Sequence, residues 1–218
     1  MNPQARRFEF LIWIGVVVTL LILLLTYLLA QLRLRETLGK PLPVLGQVQD
    51  FRLTNQFGQA VTLADLQGRV WVADIIFTRC AGPCPRMTRQ MKEIQQALPA
   101  ISQARLVTLT TDADFDTPPV LKAYAEKFGA DTNRWVFLTG DKRQIANLAI
   151  DSLKLTAIEK KPEERQTPED LFVHSTIFVV VDKLGRLRGV FETDGEGVSP
   201  VQARSRILAA VKRLEAER

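Results

Sequence analysis

The chain has 218 residues, 46% of them hydrophobic and 24% charged, with a formal net charge of +5. That composition excludes wholesale disorder and a fibrous repeat. Two cysteines and one histidine exclude a four-ligand Cys/His zinc site built from this chain alone, and a multi-disulfide scaffold.

Hydrophobicity is unevenly spread. Phe10 to Ala30 is a run of 21 residues without one Asp, Glu, Lys or Arg. A helix of that length spans about the 30 Å hydrocarbon core of a bilayer. The run is longer than the apolar core of a cleaved signal peptide, and Leu28-Leu29-Ala30-Gln31-Leu32-Arg33 offers no small-x-small cleavage site. A retained anchor is therefore expected, with Trp13 and Tyr27 near its two interfaces. The chain then divides into a short cytoplasmic head (1–9), a transmembrane anchor (10–30), a linker (31–44) stiffened by Pro41 and Pro43, and a domain (45–218).

Arg6, Arg7 and the amino terminus oppose Arg33, Arg35 and Lys40, so the positive-inside count nearly ties. A very short head before an apolar run behaves as an export signal, which puts the domain outside. The first nine residues leave no space for a mitochondrial transit peptide. The expected location is a bacterial inner membrane, single-pass, with the domain on the periplasmic or extracytoplasmic side. Residues 45–218 hold 24 basic and 22 acidic side chains, so the positive surplus lies largely in the membrane flanks and does not indicate nucleic acid.

Within the domain, Asp50 to Thr54 and Ala60 to Thr62 predict a hairpin around Asn55-Gln56-Phe57-Gly58. RVWVADIIF (69–77) is a near-continuous apolar run, as expected of a strand buried on both faces. A cysteine segment follows, then a helix with Met87, Met91, Ile94 and Leu98 on one face. Arg105 to Thr110 predicts a strand. Thr117-Pro118 opens a helix using Val120, Leu121, Tyr124 and Phe128. Trp135 to Leu138 is a short strand, and Asp141 begins a helix using Ile145, Leu148 and Ala149. Residues 155–170 are polar, without period, and are expected to form a surface insertion. Ser175 to Val181 predicts a strand, Lys183 to Arg186 a turn, and Leu187 to Phe191 a further strand. The last helix, from Ser199, uses Val201, Leu208, Val211 and Leu214. Alternating strands and helices predict an α/β three-layer sandwich. The order strand, cysteine motif, helix resembles that of the thioredoxin-like superfamily.

The motif is Thr78-Arg79-Cys80-Ala81-Gly82-Pro83-Cys84-Pro85. Its two cysteines close a strand and open a helix. Unpaired amides and the positive helix end there stabilise thiolate, so a lowered cysteine pKa is expected, with Arg79 and Arg86 adding to it. A thiolate is both the nucleophile of disulfide exchange and the ligand of a soft metal. Thioredoxin-type oxidoreductases use two intervening residues. Here there are three, a wider loop that can turn both sulfurs towards one external ion. His174 is the only histidine. In the thioredoxin-like topology the loop before its strand faces the cysteine loop, and thioredoxins place a cis-proline there. This chain has Val173-His174-Ser175-Thr176 instead. Two thiolates and an imidazole make a trigonal set suited to Cu(I), and able to hold Cu(II) with an added ligand.

Asp112, Asp114 and Asp116 are expected to form a solvated loop in which Asp116 or Thr117 caps the following helix. Asp112 is also a candidate neighbour of the metal ligands or a weak extra ligand. Met87 and Met91 fall in helical register with Ile94, which assigns them to core packing.

These pieces together resemble the SCO/SenC family of membrane-anchored, copper-binding, thioredoxin-fold proteins. The resemblance covers the chain from about residue 47. It rests on FRLTNQFGQAVTLADLQGRVWVADIIFTRC, CPRMT, TDADFDTPPVLKAYAEKFGA, WVFLTG, HSTIFVVVD and GRLRGVFE. It implies that Cys80, Cys84 and His174 are copper ligands and that the binuclear CuA site of cytochrome c oxidase subunit II is the acceptor. Two departures stand out: Ala81-Gly82-Pro83 is not the commonest intervening triplet, and Asp112-Ala113 replaces the usual aspartate-proline pair. Two functions follow. The domain is a metallochaperone loaded by a periplasmic copper donor, or a thiol–disulfide oxidoreductase that keeps the acceptor's cysteines reduced and draws on a thiol reductant. A thiol peroxidase is disfavoured, since the cysteine segment lacks the Pro-x-x-x-Thr/Ser-x-x-Cys pattern.

Overall fold

The computed structural model describes the backbone of residues 3–39, 41–164, 172–174 and 176–217. It describes side chains over 13–31, 41–156, 160–161, 163–164 and 176–217. Two compact units are present, Met1–Pro41 and Leu42–Arg218. The first is one helix, α1 (Pro3–Gly39). Over Trp13–Gln31 its mean hydropathy is 2.6, and among the described residues it is the one helix long and apolar enough to cross a membrane.

The second unit follows the order β1 (Gly46–Gln47), β2 (Arg52–Asn55), β3 (Ala60–Thr62), α2 (Leu63–Leu66), β4 (Trp71–Ile76), α3 (Cys84–Ala97), β5 (Arg105–Thr110), α4 (Pro118–Lys127), β6 (Trp135–Thr139) and α5 (Lys142–Ala146). α5 runs on into a π-helical turn, Asn147–Ser152. Then come β7 (Ala157–Glu159), β8 (Phe172–His174), β9 (Ile177–Val181), β10 (Arg186–Glu192) and α6 (Pro200–Ala216). Eight strands form one sheet in the order β1-β10-β9-β4-β5-β6-β2-β3. β4, β5 and β6 are parallel, and β9 joins β4 antiparallel.

The layers follow from strand alternation, which sends successive side chains to opposite faces. Val72 and Ile76 of β4 face one core, with Met87, Met91 and Ile94 of α3, Leu121 and Tyr124 of α4, and Ile207, Val211 and Leu214 of α6. Trp71, Ala73 and Ile75 face the other, with Leu63 and Leu66 of α2 and Ile145, Leu148 and Ala149 of the α5 region. Every residue of β4 is buried, as its unbroken apolar run predicted. This is the expected three-layer, thioredoxin-like α/β sandwich.

The β2–β3 hairpin forms where predicted. Its turn is held by Asn55, whose Oδ1 accepts from the amides of Phe57 (2.9 Å) and Gln59 (3.0 Å), while Gly58 takes φ 76°. Other expectations shift. Val201 is exposed, and α6 buries Ala203, Ile207 and Ala210 alongside Val211 and Leu214. Residues 155–170 are not wholly without structure. Leu155 is buried, and β7 pairs with β8 in a separate two-stranded sheet, with Ala157 opposite His174. The expected strand from Ser175 therefore begins at Ile177, and Ser175 lies outside the described residues.

Candidate metal centre

β4 delivers the chain to the site. After Ile76 it turns through Thr78 and Arg79, and the Cys80 amide donates to the Phe77 carbonyl (3.2 Å). Pro83 is the N-cap of α3, Cys84 its first residue, and Pro85 sits in the first turn, where a missing amide costs no helical bond. Cys84 is fully buried, whereas Cys80 retains 9% exposure. The two are reduced thiols within hydrogen-bonding reach of each other. A Cβ at Gly82 would stand 3.9 Å from the Cys80 sulfur, so the glycine puts no side chain against the sulfur on that approach.

The electrostatics overturn one expectation. Burial pushes the Cys84 thiol far above its ordinary value, and the hydrogen bond and charge of Cys80 push the same way, as does the charge of Asp74. The Phe77 backbone opposes this and does not prevail. The helix terminus cannot supply the expected depression, because desolvation of a fully buried sulfur outweighs a partial dipole charge. Nor are the two arginines turned to the sulfurs. Arg79 donates from Nε (3.1 Å) and an Nη (2.5 Å) to Asp112 Oδ2 and stacks over the Phe115 ring at 4.2 Å. Arg86 donates likewise to Asp194 Oδ2.

Asp112 is thus beside the cysteine loop, with its carboxylate engaged by the residue before Cys80. Asp116 departs from expectation. It is fully buried and is not the helix cap; Thr117 takes that place without a side-chain bond. Asp116 accepts from the Thr78 amide (3.1 Å) and from the hydroxyls of Thr78 and Thr110. Its carboxylate ties the cysteine loop to the end of β5. Burial raises its pKa, only partly offset by those hydrogen bonds. Beneath the site Thr88 Oγ1 donates to the Cys84 carbonyl (2.9 Å) and lies 2.8 Å from the Tyr124 hydroxyl. Asp74 is fully buried in β4 and accepts from Thr108 Oγ1 (2.6 Å). Its signal was in the sequence: one carboxylate inside an otherwise apolar strand.

His174 ends β8, and its backbone is described there; its side chain lies outside the described residues. Among the described residues no three His, Cys, Asp or Glu side chains converge, so the described thiol donors are the two cysteine sulfurs. The segment leading from His174 is tied to α3 through the 193–194 loop. Gln90 donates to the Thr193 carbonyl (3.0 Å), Arg86 holds Asp194, and Thr176 Oγ1 donates to the Asp194 carbonyl (3.1 Å).

A thioredoxin-like domain with a buried dithiol where a strand meets a helix, preceded by one apolar helix, defines the class. The SCO1/SenC family profile matches residues 44–210, and the chain belongs to that family. It is 37% identical over 147 residues to the SCO1 protein homolog of Bacillus subtilis, covering 66% of this chain and 73% of that one. It is 29% identical over 150 residues to a protein of Stutzerimonas stutzeri named for copper binding, covering 68% and 70%. Among solved structures it resembles BsSco, described as a member of the Sco family of cytochrome c oxidase assembly proteins in which a disulfide switch was identified. That match has 30% identity and a TM-score of 0.67, covering 82% of this chain and all of the other.

Proposed function

We propose that the domain is a copper carrier. One copper ion is held by the thiolates of Cys80 and Cys84 and the imidazole of His174. It passes by ligand exchange to the CuA site of cytochrome c oxidase subunit II during assembly. The observation that carries this reading is the pair of reduced sulfurs in mutual reach at the start of α3, with Cys80 the less buried of the two. Paired thiolates select Cu(I) over harder ions. The name of the Stutzerimonas stutzeri relative and the assembly role given for BsSco support the cargo and the acceptor.

One backbone relation supports His174 as third ligand. It stands two residues before Thr176, so it lies within about 7 Å of chain from a residue already bonded to the Asp194 loop. Asp112 acts as a positioning residue that holds Arg79 away from the sulfurs. Copper must displace the thiol protons, and burial makes that of Cys84 hard to remove, so copper affinity rises with pH. The reading includes the organisation into head 1–9, anchor 10–30, linker 31–44 and domain 45–218. It also includes a bacterial inner membrane with the domain on the periplasmic side, where a copper donor and a thiol reductant would serve it.

Metal analysis with X-ray absorption on the full chain in detergent tests this, beside Cys80→Ser, Cys84→Ser and His174→Ala. One copper per chain with sulfur and nitrogen ligation is expected, and loss of retention in all three variants. Unchanged affinity in His174→Ala would remove the three-ligand proposal.

A second reading, thiol–disulfide exchange, is favoured by the exposure difference between the cysteines and by the disulfide switch described for BsSco. Cys80 attacks an acceptor disulfide, and Cys84 displaces the mixed disulfide. Two electrons and two protons leave for the acceptor, and a Cys80–Cys84 disulfide remains. This activity survives His174→Ala, which separates the two readings.

A further inference from the structure

The pole of the domain opposite the cysteine loop has a character that copper chemistry does not use. β4, β5 and β6 begin there at Trp71, Arg105 and Trp135. The β9–β10 turn lies level with them, since Val181 pairs with Trp71 and the Gly68 amide donates to the Lys183 carbonyl (2.9 Å). The length of β4, roughly 20 Å, separates this pole from Cys80.

Between α3 and α6 the pole opens into an apolar groove of about 740 Å³, floored by Leu98, Leu208 and Val211 and edged by Ile101, Lys183 and Lys212. The two most exposed large apolar side chains among the described residues of the domain stand here, Ile101 at 88% and Leu184 at 62%. Ile101 sits on a built loop. Arg134 donates to the carbonyls of Pro99 (3.4 Å) and Ala100 (2.8 Å).

The surrounding charge is basic. Arg69, Arg105 and Arg134 lie close enough to repel: burial lowers the Arg105 pKa, and the other two guanidiniums lower it further, against Asp131. Of the nearby acids, Asp131 is exposed and the others are bonded within the domain. Glu215 accepts from Ser102 Oγ (2.8 Å) and the Gln103 amide (2.9 Å), and Asp182 and Glu217 both accept from Arg188. Arg188 also donates to the Leu42 carbonyl (2.7 Å), so the chain enters the domain at this same end.

We infer that this pole docks on the anionic phospholipid surface of the membrane that holds the chain, with Ile101 and Leu184 inserted among the acyl chains and the surrounding Lys and Arg on the phosphates. Single exposed apolar tips inside a basic ring suit a surface that offers hydrocarbon and negative charge within a few ångströms of each other. Residues 32–41 join the apolar span to Leu42, a reach of no more than about 35 Å, so the bilayer is always close. Docked this way, the domain turns Cys80 and Cys84 away from the lipid. The inference rests on the membrane-anchor reading.

Amide hydrogen exchange on the full chain in lipid nanodiscs tests it, using phosphatidylcholine alone or mixed with phosphatidylglycerol. Recovery of the chain in the discs tests the anchor separately. Slower exchange over 100–104 and 183–186 is expected only with phosphatidylglycerol. It should relax in high salt and weaken about fivefold for each basic side chain removed. The variant Ile101→Glu with Lys212→Glu, both exposed and outside the core, should lose the protection while keeping copper binding. Equal exchange in the two disc types overturns the proposal. So does protection that ignores salt and lipid, which would point to a protein partner on the groove. A chain absent from the discs overturns the anchor reading and this inference with it.

Discussion

Asp116 shows how a single side chain can be misread from its neighbours. In the run Asp112-Ala113-Asp114-Phe115-Asp116 it looks like the last acid of a solvated turn. In the fold it is fully buried, bonding Thr78 and Thr110. Asp116→Ala should cost about 1.5–3 kcal/mol in chemical denaturation, because it strands the Thr78 amide and two hydroxyls. Asp116→Asn keeps an acceptor and should stay much closer to the parent. The pH dependence has a definite sign. A carboxyl whose folded pKa is raised binds its proton more tightly in the folded state, so its contribution to stability grows as pH falls from the folded value towards the ordinary 3.8. Asp116→Asn should abolish that component, and pH-dependent unfolding of the two proteins checks it.

The β9–β10 hairpin carries the main polar element of the fold. Asp182 Oδ1 accepts from the amides of Leu184 (3.0 Å) and Arg186 (2.9 Å), shaping a turn in which Gly185 takes φ 74°. Asp182 Oδ2 accepts from Arg186 and from Arg188, and Arg188, itself buried, reaches on to Glu217 and to the Leu42 carbonyl. The hairpin, the end of α6 and the start of the domain are thus held by one guanidinium. Arg188→Ala removes the buried guanidinium from the buried Asp182 carboxylate and from Glu217, and a loss of about 3–5 kcal/mol is expected. Burial alone would raise the Asp182 pKa, but the hydrogen bonds from Arg186, Arg188 and Leu184 lower it below the usual value. Its stabilisation is complete above the ordinary 3.8 and is lost as pH falls through the lower folded value. Acid unfolding of the parent should therefore steepen below about pH 4, and Arg188→Ala should flatten that slope.

For the whole molecule the site couples to global stability. A ligand that binds only the folded domain stabilises it by mass action, about 2.7 kcal/mol at a hundredfold excess over its dissociation constant. Reduced protein should show a raised Tm with Cu(I), and Cys80→Ser and Cys84→Ser should show none. A Tm that rises equally in those variants would mean that copper binds elsewhere. The two poles also divide the labour of the fold. The end of β4 that starts the cysteine loop lies away from the basic, apolar end where the chain enters the domain.

Local pattern was enough to read much of this from the sequence. The apolar span, the β4 run, the α3 stripe of Met87, Met91 and Ile94, and the strand–cysteine–helix order all follow from periodicity and turn chemistry between near neighbours. The β7–β8 pairing was hidden, because a three-residue ladder in a polar segment has no period to detect. The partners of Arg79 and Arg86, the burial of Asp116 and the high pKa of Cys84 were decided only when distant segments packed together. Desolvation and ion pairing depend on what surrounds a group in space, and the residues that surround these come from β5, its following loop and the 193–194 loop.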